Sequence, residues 1–145
     1  MARKTTHNYY DFKKRWAFET NRIRGQQTTL ARKVIVSTFG RILVLSPVKT
    51  GRYRAAHQIT IGGPATSSPI GGATEGAGNQ LSAAETYLAS KLKPGQSLEI
   101  FISNPLIYAW AIEAGHSKQA PQGVYLRARE YATQLWGKVT GGVSL

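Results

Sequence analysis

The stretch SPVKTGRYRAAHQITIGG, residues 46–63, is where the hydrophobic rhythm of the chain changes. Upstream of it the apolar residues recur at helical spacing. Leu30, Val34, Ile35, Thr38, Ile42 and Leu45 fall on one side of a helix expected from about Gln26 to Leu45. Val36, Phe39 and Leu43 widen that surface to most of the circumference, as in a helix that is central or lies between subunits. Pro47 ends it, because the residue before a proline avoids the helical region. Downstream, His57, Ile59 and Ile61 alternate with Gln58 and Thr60, the period of a half-buried strand. The expected class is therefore α+β: long N-terminal helices and a C-terminal helix packed on a small antiparallel sheet, with a long Gly/Ser-rich loop.

The rest of the chain fills in around that junction as a single domain, residues 1–145. Residues 1–8 read as a basic N-terminal arm. Asn8 is placed to cap a first helix, with Asp11 three residues on. Tyr9, Phe12 and Trp16 form a stripe suited to burial, and Gly25 ends or bends this helix. Residues 62–80 form an extended loop rich in Gly, Ser, Pro and Ala. Ser82 to Glu85 reads as a capping box opening a short helix through Tyr87, Leu88 and Leu92. SLEIFISN (97–104) is a second strand. Pro105 opens a helix whose buried side is Ile107, Trp110, Ala111 and Ala114. Gly115 stops it and residues 116–123 form a loop. A last helix begins near Gln122, carries Val124, Ala128, Tyr131 and Leu135 on one stripe, and ends around Gly137; residues 138–145 are a tail.

Composition narrows the chemistry. There is no cysteine among the 145 residues, so disulfides and thiolate metal sites are excluded. No apolar run approaches the roughly 20 residues that span a bilayer, and the basic start has no apolar stretch after it to act as a secretory signal. The net charge of +12 is uneven. Residues 1–54 hold 13 Lys/Arg against Asp11 and Glu19, a net +11, whereas residues 55–145 hold 6 against 5 acids. That asymmetry points to a polyanion or an acidic protein surface as partner. Arg22, Arg24, Arg32 and Lys33 are the candidate contacts, without any signature of sequence-specific recognition.

Two readings compete for YAWAIEAGHSKQAP (108–121). Glu113 and His116 stand three apart, within reach of each other on a continuous helix, as an acid/base pair would. Gly115 interrupts that helix, and no nucleophile with its own base accompanies them. The alternative is a helix end and a contact loop, with His116 bonded within the loop and Glu113 paired to a basic residue. His57 reads as an ordinary strand side chain, since nothing with metal-ligand spacing lies near it. No catalytic, metal or cofactor residue is assigned.

Two segments together carry a resemblance. SPVKTGRYRAAHQITIG (46–62) gives Pro, then Thr-Gly-Arg, a further basic residue and a strand. ISNPLIYAWAIEAGHSKQAPQGVYLRA (102–128) gives a strand, Asn, an apolar-Tyr-Ala run, Glu-x-Gly, Ser-Lys-Gln-Ala-Pro and a Gly before a helix. In order and spacing, over roughly residues 10–135, the chain resembles the HK97 gp10-like family of tailed-bacteriophage neck and tail-completion proteins. It departs from the pattern at Lys49, where the family usually has an acid, and at His116, where close relatives often carry a tryptophan or other residue. The resemblance implies a non-enzymatic virion protein at the head–tail junction, assembled in the host cytoplasm. It would form a homo-oligomeric ring, a hexamer or alternatively a dodecamer, with DNA passing through its centre. Its partners would be other neck, portal-adaptor and tail proteins. Subunit or partner contacts then fall to Thr50, Gly51, Arg52, Arg54, Tyr108, Glu113, His116, Ser117, Lys118, Gln119 and Pro121. On this reading Thr50 and Gly51 turn the long helix into the strand. The 62–80 loop and residues 117–123 become ordered only by subunit contacts. The alternatives are a tail terminator capping the tail tube, a basic non-specific DNA-binding accessory protein, and a small hydrolase using Glu113 and His116.

Overall fold

In the computed structural model, the residues described are 5–67 and 77–139, with side chains from residue 15 onward in the first helix and from 79 in the third. The first helix, α1, runs without a break from Thr5 to Leu45. At 1.5 Å per residue it is about 60 Å long. Two helices divided at Gly25 were expected, and the structure joins them. Glycine in a helix interior costs only about 1 kcal/mol relative to alanine, and Gly25 has helix on both sides. The helix also begins three residues ahead of the expected cap Asn8, so residues 5–8 of the supposed arm are helical. The tail from 140 onward, residues 1–4, and the Tyr9 and Phe12 side chains lie outside the described residues. Trp16, the third member of the expected buried stripe, is 67% exposed.

Past Pro47 the chain turns through a short helix α2 (Arg52–Ala55) before the strand β1 (Gln58–Ile61). Thr50 and Gly51 thus lead into a helical turn and not directly into the strand. β1 pairs antiparallel with β2 (Ile100–Ser103), with Ile59 opposite Ile102 and Ile61 opposite Ile100. Between them α3 runs from Ala77 to Lys91. The expected capping box therefore lies inside α3, where the Ser82 carbonyl accepts a bond from the Thr86 hydroxyl at 3.0 Å. The near part of the 62–80 loop is tied down within the chain. Gln58 Nε2 donates to Ser67 O at 2.8 Å, and Ala65 N donates to Ser103 Oγ at 2.9 Å. Residues 68–76 lie outside the described residues.

The second half of α1 is the spine of the molecule. On one side Phe39 and Leu43 pack with Ala84, Leu81, Ile59 and Ile102, joining α1, α3 and the sheet. On another, Ile42 packs with Tyr53, Ala56, Leu106, Ala120, Val124 and Ala128. That cluster draws in α4 (Ala109–Glu113) and α5 (Tyr125–Val139). Among the described residues the molecule is about 60% helical with one small antiparallel sheet, an α+β fold. Coverage ends where α3 ends: the Gly95 turn rests against the Arg24 side chain, whose Cδ is 3.6 Å from where a Cβ on Gly95 would stand. Before that point α1 projects as a rod, with residues 15–19 and 21–24 exposed.

A Cβ on Gly25 would meet nothing within 4 Å. Gly25→Ala is therefore expected to raise the helical signal at 222 nm in far-UV circular dichroism and to stabilise α1 by up to about 1 kcal/mol. A lower helical signal would mean that the chain turns at Gly25.

Candidate contact end and buried polar hub

The residues singled out between 50 and 54 and between 108 and 121 come together at the C-terminal end of α1. Val48 N donates to Gln119 Oε1 at 2.7 Å, and Asn104 Nδ2 donates to Tyr53 O at 2.8 Å. Arg22, Arg24, Arg32 and Lys33 are not part of this group; they lie along α1.

Glu113 organises the contact end. Its carboxylate accepts from the backbone N–H groups of Val124 (2.8 Å), Tyr125 (2.9 Å) and Leu126 (2.9 Å). These are the orphan donors at the start of α5, and a carboxylate there also meets the positive end of the helix. The expected basic partner for Glu113 is thus replaced by a helix N-terminus, and Glu113 is not paired with His116. Between Glu113 and α5 the loop is closed tightly. Gly115 has φ +89°, and a Cβ on it would stand 2.5 Å from Pro121 O; Gly123 has φ +75°, and a Cβ on it would stand 2.7 Å from Glu113 O. No L side chain fits either position without strain. Ser117 and Ala120 form a bridge, with Ala120 N donating to Ser117 O at 3.1 Å. The segment 117–123 is therefore ordered by the chain itself, contrary to the expectation that subunit contacts order it.

The exposed surface here includes large apolar side chains. Ile107 is 90% exposed, Trp110 69% and Leu126 56%, with Tyr108 at the start of α4 less so. Ile107 and Trp110 were expected to face inward. α4 is only five residues long, and Ala109 and Ile112 take its inward positions. The exposed His116 ring packs edge-on near Trp110, centroids 6.0 Å apart. Lys118, Gln119 and Pro121 are exposed, as are Thr50 and Arg52, while Arg54 is half-buried with its Nε covered.

Behind this face lies a polar hub that the sequence reading missed. His57 is buried just ahead of β1. Its Nε2 is 2.7 Å from Ser46 Oγ, and its Nδ1 is 2.7 Å from the Tyr125 hydroxyl and 3.4 Å from Asn104 Nδ2. Ser46 Oγ donates to Ile42 O at 2.6 Å, so it accepts from His57 Nε2–H. Nδ1 is then the acceptor, with Tyr125 and Asn104 as donors. Burial, before any other influence, raises the Tyr125 hydroxyl above its ordinary range and keeps it protonated. The pair has nucleophile–base spacing, but the serine's proton points to a helix carbonyl and the imidazole nitrogen facing it carries a proton. Both residues are buried, and the arrangement is a latch joining α1, β1 and α5. The sequence signal was a lone histidine at a strand's start, with partners too distant to be read.

Among the described residues no three His, Asp or Glu side chains gather in a way that could hold a metal ion. No helix among them is long and apolar enough to cross a membrane. No family model matches the chain, and no curated protein or solved structure is significantly similar to it.

Burial pushes the His57 imidazole down to about 3 from its ordinary 6.5. Between those values the unfolded chain holds the extra proton, so stability rises with pH and is lost as pH falls through 6.5. The chain is expected to lose about 2 kcal/mol of unfolding free energy between pH 7 and pH 5. His57→Gln should be less stable at pH 7 and nearly flat across that interval. Denaturant titrations at the two pH values check this, and an equal slope in both proteins would contradict it.

Proposed function

We propose that this chain is a non-enzymatic structural protein of a tailed-phage particle, forming a ring at the head–tail junction through which DNA passes. The observation that carries the reading is the contact end. A loop held rigid by Glu113 stands beside the exposed Ile107, Trp110 and Leu126, within the segments that bear the sequence resemblance to neck and tail-completion proteins. A rigid apolar surface with a polar rim is what a specific protein contact requires. Arg52, exposed on α2, supplies a planar donor suited to a carboxylate across the interface. The same face would serve a terminator capping a tail tube, which differs in its neighbour and not in its contact chemistry. A hexamer is favoured and a dodecamer is the alternative. The partners are other neck, portal-adaptor and tail proteins, and the site of action is the virion after assembly in the host cytoplasm.

Light scattering coupled to size exclusion tests this. Six copies of the 15.8 kDa chain give about 95 kDa, and twelve give about 190 kDa. Ile107→Ser/Trp110→Ser is expected to reduce either mass to that of the monomer without loss of helical signal. A wild-type chain that stays monomeric at every concentration, and matches the double variant, would contradict the proposal.

A further inference from the structure

We infer that one exposed face of α1, carrying Arg15, Arg22 and Lys33, binds the phosphate backbone of duplex DNA. On a helix of 3.6 residues per turn, positions 15, 22, 26, 29 and 33 fall along one line. In this chain they are Arg15, Arg22, Gln26, Thr29 and Lys33, and all five are exposed. The line is about 27 Å long. It begins on the projecting rod and continues past Gly25, so its straightness depends on the unbroken helix.

The chemistry of this ridge selects its partner. Every side chain on it is a cation or a neutral hydrogen-bonding group, and Arg, Lys and Gln are among the groups that contact phosphate oxygens, while the Thr29 hydroxyl already donates to Gly25 O at 3.0 Å. A protein partner would need a buried apolar centre to its interface; no apolar side chain stands on the line itself, and the exposed apolar residues of the rod stand off it, Phe18 about 60° to one side and Ile23 and Trp16 roughly 80–100° to the other. One acid flanks it: Glu19 accepts from Arg22 Nε at 2.9 Å. Both members of that pair are about half exposed, so a phosphate can take the guanidinium from it. The ridge also revises the sequence reading. Of the four cations expected to meet DNA or an acidic partner, Arg22 and Lys33 belong to it. Arg24 instead lies against the Gly95 turn, and the Nε of Arg32 is buried. Arg15 joins the set. The inference deepens the proposed role and rests on it for which polyanion the chain encounters.

The test is fluorescence anisotropy of a labelled duplex of about 20 base pairs over a range of salt. The wild-type chain is expected to bind with an affinity that falls steeply with salt. Arg15→Ala/Arg22→Ala/Lys33→Ala should weaken binding about tenfold or more. It should also flatten the log–log salt slope by about one unit for each cation removed per bound chain. Glu19→Gln should tighten binding. The charge-matched control Lys49→Ala/Arg129→Ala/Lys138→Ala should bind like the wild type. Equal losses in the two triple variants would mean that net charge alone acts, and would overturn the inference. So would an unchanged ridge variant, or polyglutamate binding through the ridge where duplex does not. The masses of the same proteins separate this from the ring. A monomer that binds duplex through the ridge defeats the ring and keeps the inference, whereas a ring indifferent to the ridge does the reverse.

Discussion

The His57 imidazole is the joint on which the rest of the structure turns. It bonds Ser46, 11 residues before it at the end of α1, and Tyr125, 68 residues after it at the start of α5. Buried polar groups are costly unless satisfied, and here both ring nitrogens have partners. The geometry fixes a single tautomer, and through it the approach of α5 to the end of α1. Asn104 adds β2 to the same joint by holding Tyr53 O and accepting from Leu106 N. Once α5 is so placed, its first N–H groups stand where Glu113 can accept from all three, and the loop between them has one way to close.

Local patterns made part of this legible. The apolar run from Val34 to Leu43 did become the packed half of α1, Pro47 follows its end, and the alternation around Ile59 became β1. Gly115 stops α4 as its chemistry requires. What could not be read was nonlocal. Glu113 finds its partners 11 to 13 residues on, at backbone groups that carry no sequence signature. Ile107 and Trp110 have the spacing of a buried stripe, yet a five-residue helix has too little inward surface for them. Gly25 and the Ser82 box are local signals worth about 1 kcal/mol each. Continuous helix on both sides outweighs them.

The molecule divides its surface between two ends of one helix. At the C-terminal end of α1 the surface carries large exposed apolar side chains with polar ones around them, and is built on a loop with two positions that only glycine fills without strain. Towards the N-terminus α1 is a rod whose residues 15–24 mix exposed cations and polar groups with the exposed Trp16, Phe18 and Ile23. A helix of this kind gains little from its own propensity, since isolated helices of some 12–15 residues are marginal in water. The rod therefore draws its stability from the packed half of α1. In the proposed assembly the apolar end serves neighbouring subunits and the rod serves the polyanion, so that one chain meets two partners without their competing for the same residues.

Amide hydrogen exchange on the free chain, compared with Glu113→Gln, tests the central claim that the contact end is folded before any partner binds. Slow exchange is expected at Val124, Tyr125 and Leu126 in the wild type and faster exchange at all three in the variant, with residues 15–24 exchanging quickly in both. Rapid exchange across 115–126 in the wild-type chain would contradict it, because the loop would then take its shape from a partner and not from Glu113.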